Sequence, residues 1–454
     1  MDYFNGYDDY LVIGAARSGI ACARFLAQRG KRVTLSDSKT LEKLLSEEDY
    51  GLGEIKDDNR ISFIFGRNPS DEEVRSSGLV ILSPGVPPDI RPCTVADDAG
   101  IKVISEVEFA VSFFRGDIVA ITGTNGKTTT TYLTCALINA AGRKSFECGN
   151  IGFPFIDYAD EPADSVASLE ISSFQLSMLE YMKPRVAVIT NITPDHLDRH
   201  KTMENYIDAK AAVFRNMDEG TLILNMDDET VRNLASRARC TVKYFSLVRK
   251  DTEAYLDDEG YICLKGPGRI LPASELKILG PHNIANAMCA LLCAAEYTDD
   301  FTDVAKALRE FSPVEHRVEF VRELDGVRYI NDSKGTNPDA TITAINSFDC
   351  PLLMILGGYD KKSDYNEMFD LMEKKNIRHM FVLGVTAEDI IACAEKHGMH
   401  NYTRVQSLKE AVTLSRKTAE PGDVVLLSPA CASWDMFDNF EQRGRLFKDY
   451  VREL

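Results

Sequence analysis

Short apolar runs recur along this chain, separated by longer stretches in which apolar positions return every third or fourth residue. Side chains alternate faces along a strand and repeat about every 3.6 residues around a helix, so the two patterns read as buried strands and amphipathic helices. Their regular alternation predicts α/β domains built on mainly parallel sheets. Strands are expected at 10–14, 32–36, 61–65 and 79–82, then at 118–121, 166–170, 186–192, 222–225 and 241–246. A helix is expected over 280–297, and further strands at 327–333, 351–358, 377–384 and 423–429. These groups divide the chain into three units, 1–114, 115–312 and 313–454, the last joined through the segment FSPVEHR at 311–317.

The most specific pattern is DIVAITGTNGKTTTTYLTCALINAAG at 117–142. An apolar strand runs into a glycine turn, and the turn opens a helix that is expected to end at Gly142. Loop N–H groups and the positive helix end would face a polyphosphate, Lys127 would add a point charge, and the Thr128 hydroxyl can hold magnesium. Four threonines in a row are poor in a helix interior, where branched side chains lose rotamer freedom, but their hydroxyls have a use in a first turn. Ile121 stands where the common phosphate loop has its first glycine, so TGTNGKTT is a narrower signature. We read Gly123, Thr124, Asn125, Gly126, Lys127, Thr128 and Thr129 as an ATP site in a P-loop ATPase-like middle domain.

The first unit opens with GAARSGIA at 14–21 and places Asp37 at the end of its second strand. That is the layout of a Rossmann-like domain, with a carboxylate near a ribose. Ala16 replaces the second glycine of the fingerprint, so a structural turn and a ligand loop are both open on the residues alone. A nicotinamide-dependent dehydrogenase is the alternative this turn suggests, and the intact ATP loop argues against it. Ser83, in SPGVPP, follows the fourth strand at the sheet edge where such folds bind ligands.

Composition narrows the class. The formal net charge of −18 weighs against nucleic acid or an anionic membrane as the main partner. The N-terminus has no leader-like apolar region, and no apolar run approaches the roughly 18 residues a membrane helix needs. Eleven scattered cysteines without a C-x-x-C pair suit reduced thiols in a cytoplasmic protein rather than a zinc site.

Taken together, TGTNGKTT (122–129), GNIG (149–152), LEISSFQL (169–176), TPDHLDRH (193–200), GPHNIAN (280–286), EHR (315–317), NDSKGTN (331–337) and LGGYDK (356–361) resemble the Mur ligases of bacterial cell-wall synthesis. The blocks NDSKGTNPDA and LSPACASWDMFDNFEQRG resemble the branch of that family that adds D-glutamate, although Trp434 stands where a smaller aliphatic residue is usual. The resemblance implies three domains: a Rossmann-like one for a UDP-linked acceptor, the ATP-binding one, and a Rossmann-like C-terminal one. It implies ATP and two magnesium ions as cofactors, UDP-N-acetylmuramoyl-L-alanine and D-glutamate as substrates, a monomer, and a cytoplasmic location. By the same resemblance Lys127, Glu170, His196 and Lys210 are catalytic, and Thr128, Glu170, His196 and Lys210 hold metal, the last as a carbamate. On spacing alone Glu170 is an ordinary strand-end carboxylate, His196 a hydrogen-bonded loop residue and Lys210 a surface lysine. Asn283, His316, Arg317 and Asp332 are implied around ATP, although Asn283 can equally cap its helix and the other His and Arg can be hinge surface. Ala15, Arg17, Ser18, Asp37, Ser83, Asn150 and Ser172 are implied around the acceptor. Lys334, Thr336, Lys361, Ser433 and Phe440 are implied around D-glutamate, with core packing as the other reading of Phe440. Another amino-acid-adding ligase of the family, a folylpolyglutamate synthase, and a non-catalytic nucleotide-binding protein are the alternatives.

Overall fold

Each group of apolar runs becomes one sheet, because a run buried on both faces is stable only with layers packed on each side. The structure is a computed structural model describing residues 4, 6–46, 51–151, 153–278, 280–312, 315–359 and 363–454. The first sheet contains β1 (Asp9–Ile13), β2 (Arg32–Asp37), β3 (Ile61–Phe65), β4 (Leu79–Leu82) and β5 (Val103–Ser105). Its strands are all parallel, in the order β3-β2-β1-β4-β5. The chain order reverses beside β1, so a crevice opens between the ends of β1 and β4.

The second sheet comprises β6 (Asp117–Thr122), β7 (Ser145–Gly149), β8 (Val166–Glu170), β9 (Val186–Ile189), β10 (Thr221–Asn225), β11 (Thr241–Ser246), β12 (Ala254–Leu256), β13 (Tyr261–Leu264) and β14 (Gly268–Pro272). Its order is β14-β13-β12-β11-β10-β9-β6-β8-β7, parallel from β7 through β12 and antiparallel beyond. The third sheet has β15 (Glu319–Leu324), β16 (Val327–Asn331), β17 (Leu352–Leu356), β18 (Ile377–Val382), β19 (Tyr402–Arg404) and β20 (Val424–Leu427). It is ordered β15-β16-β20-β17-β18-β19, with only the β15–β16 pair antiparallel. The architecture is three α/β domains, with Rossmann-like sheets at both ends and a phosphate-loop domain between them.

Two sequence expectations shift. The strand expected over 186–192 stops at Ile189, because Thr190 and Asn191 turn away to hold the loop after β6. The helix expected over 280–297 runs Pro281–Ala294, starting at a proline that needs no N–H donor there. The strands that the pattern missed (β5, β7, β12 to β15 and β19) lie at sheet edges or in the antiparallel extension. An edge strand such as β7 alternates buried and half-buried positions and so lacks a continuous apolar run.

The helix Glu106–Val111 ties the first domain to the second through two buried carboxylates. Glu106 accepts from Ile156 N at 2.8 Å, and Glu108 accepts from Glu180 N at 2.9 Å and Tyr181 N at 2.7 Å. Burial pushes the Glu106 carboxyl up to about 7. The native state therefore keeps a proton that the unfolded chain has already released between pH about 4.5 and about 7. Native stability falls as pH rises through that window, by about 3 kcal/mol relative to Glu106→Gln, whose amide does not titrate. Chemical denaturation of both proteins at pH 5 and pH 8 checks this; parallel pH profiles would contradict it.

Candidate active site

The loop after β6 is shaped by close approach. A Cβ on Gly123 would lie 1.9 Å from Thr190 Oγ1, so only glycine lets the loop pack on the end of β9. Thr190 Oγ1 and Asn191 Nδ2 donate to Asn125 O at 2.6 and 3.0 Å, and Asn191 Oδ1 accepts from Asn125 N at 2.8 Å. Thr124 Oγ1 accepts from Thr193 N at 3.0 Å and lies 3.1 Å from the Tyr206 hydroxyl. The helix Lys127–Ala140 then begins at Gly126, and its first N–H groups have no partner within the helix. Thr128 and Thr129 are buried in its first turn. A fixed loop, open donors and a positive helix end make an anion site.

Lysines surround it. Lys127 Nζ donates to Gly123 O at 2.8 Å and to Thr124 O at 2.7 Å, so the side chain lies folded along the loop. Lys210 Nζ donates to the same Gly123 carbonyl at 2.7 Å. Lys210 is 2% exposed, and burial, with the Lys127 charge adding to it, pushes its amine well below the usual lysine range. It is therefore no surface lysine. Lys334 arrives from the third domain, where Nζ donates to Thr128 Oγ1 at 2.7 Å; burial brings its pKa down to about 8.

Glu170 ends β8 and is 1% exposed. Thr128 Oγ1 donates to its Oε2 at 2.6 Å, and Asn150 Nδ2 donates to its Oε1 at 3.0 Å. Thr128, Glu170, Asn150 and Lys334 thus form one connected group at the head of the phosphate loop. A hydroxyl and a carboxylate oxygen in contact are hard donors of the kind magnesium takes, so these residues fit that ion. His196 sits with φ of 54°, its Nε2 3.5 Å from Asp195 Oδ2 and its ring edge-on to Phe174.

A cavity of about 310 Å³ adjoins the loop, and Asn125, Gly126, His282, Asn286, Arg317 and Asp332 are among its lining residues. Asp332 is pushed up to about 6 by burial, with Arg317 opposing the shift, and accepts from Ser428 Oγ at 2.7 Å. Asn283 lies behind this wall, accepting from Asn286 Nδ2 at 3.1 Å, while Asn286 Oδ1 accepts from Thr130 Oγ1 at 3.2 Å. The His316 ring is packed inside the third domain, Nδ1 2.9 Å from Asn331 Nδ2, and does not line the cavity. Asn286 and His282 went unnoticed in the sequence although both lie in GPHNIAN; Asn286 is one helical turn from Asn283 on the same face, which was the available signal.

In the first domain, Asp37 Oδ2 accepts from Ala15 N of the first turn at 2.8 Å, and its Oδ1 accepts from Lys39 N, two residues on, at 2.9 Å. Arg17 and Ser18 begin the helix Arg17–Gln28 beside it. A Cβ on Gly19 would meet Gly14 O at 1.8 Å, so this glycine permits the helix to press on the turn. Ser83 Oγ donates to Gly14 O at 2.8 Å and lines a cavity of about 160 Å³ shared with Phe174, Gln175, Arg199 and His200 of the middle domain. Ser172 caps the short helix Ser173–Leu176, accepting from Gln175 N at 3.3 Å. Gln175 Nε2 is buried without a hydrogen-bond partner at this cavity, a donor the sequence reading missed.

In the third domain, Lys334 and Thr336 follow β16, while Ser433 and Phe440 follow β20. The buried Arg443 guanidinium ties these segments together, donating to Ser333 Oγ and O at 3.0 and 2.8 Å and to Cys431 O at 3.2 Å. Phe440 O accepts from Ser333 Oγ at 2.8 Å. Lys361 lies outside the described residues.

Family models match in chain order: a Mur ligase MurD-like N-terminal domain at residues 8–105, a Mur ligase middle domain at 121–294, and a Mur ligase glutamate ligase domain at 316–431. The UDP-N-acetylmuramoylalanine–D-glutamate ligase of Caldicellulosiruptor saccharolyticus is 44% identical over 461 residues, covering 100% of both chains. That of Clostridioides difficile is 41% identical over 449 residues, covering 98% of each. Among solved structures, a UDP-N-acetylmuramate-alanine ligase from Thermotoga maritima superposes with a TM-score of 0.63 at 18% identity, covering 98% of this chain and 99% of that one. A Mycobacterium tuberculosis folylpolyglutamate synthase complexed with ADP gives 0.57 at 16%, over 76% of this chain and 95% of that one. At such identities the two structures establish a shared fold.

Proposed function

The chain belongs to the Mur ligase family, and from that premise we propose that it uses ATP to join D-glutamate to UDP-N-acetylmuramoyl-L-alanine, releasing ADP and phosphate. The observation that carries this reading is the Thr128 hydroxyl held between the Glu170 carboxylate and the Lys334 ammonium. It puts a metal-type donor pair of the ATP domain and a cation of the amino-acid domain at one point.

The chemistry needs that convergence. A carboxylate does not condense with an amine in water unless it is first activated. In this reading a carboxylate oxygen of the acceptor attacks the γ-phosphorus of ATP and ADP leaves. The amine of D-glutamate then attacks the acyl phosphate carbon, loses a proton, and phosphate departs with the oxygen it took from the acceptor. Lys127 unfolds from Gly123 and Thr124 to bear on the β- and γ-phosphates, and the loop N–H groups hold them in line. Magnesium would be held by Thr128 and Glu170, with His196 and Lys210 as the second set, and supplies charge neutralisation on the phosphates when bound. Burial shifts Lys210 towards its neutral amine, and the neutral amine is the form that adds carbon dioxide, which supports a carbamate at Lys210.

Arg317 and Asp332 fit the nucleotide from the third domain, with Asn283 acting through Asn286. Ala15, Arg17, Ser18, Asp37, Ser83, Asn150 and Ser172 make up the acceptor side, joined by Gln175. Lys334, Thr336, Ser433 and Phe440 would surround the amino acid, on segments beside those that Arg443 ties together, and Lys361 is proposed for the same site. We infer a monomer as the working unit, and the use of ATP and a nucleotide-linked precursor supports a cytoplasmic location. Among the described residues no helix is long and apolar enough to cross a membrane.

Product analysis by mass spectrometry, with ATP, magnesium and the UDP-linked acceptor, tests the substrate assignment. D-glutamate should give the ligated product and L-glutamate, L-alanine and L-lysine should not. Product with one of those three but not with D-glutamate would move the chain to another branch of the family.

A further inference from the structure

The segment that carries Arg317 has a backbone its residues do not favour. His316 and Val318, on either side of it, have φ of 64° and 43°. For a β-branched residue such as valine this left-handed region is a true outlier, and it persists only where the surroundings fix it.

Here they do. His316 N donates to Glu319 Oε2 at 2.9 Å, and His316 O accepts from Lys334 N at 3.0 Å. The buried His316 ring takes a hydrogen bond at Nδ1 from Asn331 Nδ2 at 2.9 Å, and it packs where the helix Phe440–Arg452 has Gly444. Val318 N donates to Asp332 Oδ1 at 3.2 Å, and the valine side chain joins the core of the third domain. None of these bonds uses the Arg317 side chain. Arg317 lines the cavity of about 310 Å³ beside the phosphate loop, and its Nε is buried without a hydrogen-bond partner among the described residues. Two neighbours turned into the domain therefore leave the residue between them turned to the cavity.

We propose that His316 and Val318 are positioning residues whose strained turn, wedged by the His316 ring against Gly444, aims the Arg317 guanidinium at bound nucleotide. The ring acts from inside the third domain and does not stack on the base. This deepens the functional reading and rests on it, because the cavity must take nucleotide for the aim to matter.

Titration of the full-length protein with ATP and magnesium tests the aim. Gly444 does not line the cavity, but a Cβ there would stand 2.2 Å from His316 Nδ1 and displace the ring. Gly444→Ala should weaken ATP binding about tenfold, the lower end of what a hydrogen bond to a charged group contributes. In an Arg317→Ala background the same change should add nothing, because the side chain it misdirects is gone. Two substitutions at His316 test the same point without added bulk. His316→Asn suits a left-handed backbone and can still accept from Asn331, so it should keep most of the affinity that His316→Leu loses. Thermal melts read the strain: Val318→Gly should melt above Val318→Ala, because alanine is strained at this φ and glycine is not.

Equal losses from Gly444→Ala in both backgrounds, or equal losses in His316→Asn and His316→Leu, would overturn the positioning role. A higher melt for Val318→Ala than for Val318→Gly would overturn the strained turn. A wild-type protein that binds no nucleotide would instead defeat the functional reading, before any variant is compared.

Discussion

Replacing Lys127 by alanine is expected to lower kcat/KM for ATP-dependent ligation by about 10²–10³-fold, the usual cost of removing one preorganised charge from a site where negative charge moves in the transition state. The side chain has two positions open to it. It lies on Gly123 O and Thr124 O, and the same ammonium is close enough to the loop to turn to bound phosphates. When it is lost, Gly123 O keeps its bond from Lys210. The stability cost should therefore be about 1 kcal/mol, that of hydrogen bonds partly replaced by water. Steady-state rates with varied ATP, read beside a thermal melt, separate the two effects. Normal turnover in the variant would refute the phosphate clamp.

The second large effect is expected at Lys210. Lys210→Met keeps the bulk and burial of the side chain but removes its nitrogen, and turnover should fall by about 10²–10³-fold. The neutral amine can attack carbon dioxide, forming a carbamate with loss of one proton. The equilibrium therefore moves away from the carbamate as pH falls and the amine binds a proton. Activity of the wild type should drop on the acid side and on removal of carbon dioxide, and recover when bicarbonate is restored. The residual activity of the Lys210→Met protein should respond neither to removal of carbon dioxide nor to bicarbonate. Native mass spectrometry of active enzyme showing only free amine would remove the carbamate from the account, and a Lys210→Met protein with wild-type activity would remove the residue.

These two lysines also mark what was legible in the sequence. The Lys127 loop could be read because every residue in it has a local reason: an apolar strand, glycines where backbones meet, a helix start. Lys210 could not be read that way. It is buried because its partner, Gly123 O, belongs to a loop 87 residues earlier in the chain. The one local signal was Tyr206, four residues before it and so on the same helical face, and also buried. The His316 ring shows the opposite failure. Its position beside a linker suggested a surface able to stack on a base, whereas Gly444 leaves space for the ring inside the third domain, where a Cβ would come within 2.2 Å of Nδ1.

The fold was legible for a related reason. Central parallel strands are buried on both faces and show it as apolar runs, whereas edge strands such as β7 and β19 depend on a neighbour that sequence does not reveal. The same holds for Glu106, Glu108 and Asp339. Each is a helix carboxylate of ordinary appearance, and its partners come from another domain. What passes between domains is what pattern cannot supply.

The central claim is that ATP activates the acceptor's own carboxylate at the head of the phosphate loop, and its most direct test follows one oxygen atom. UDP-N-acetylmuramoyl-L-alanine carrying ¹⁸O in its terminal carboxylate should be turned over with ATP, magnesium and D-glutamate, and the released phosphate analysed by mass. The account predicts one labelled oxygen in phosphate for each amide bond formed from doubly labelled carboxylate. Phosphate released without label, while ligated product accumulates, would contradict it.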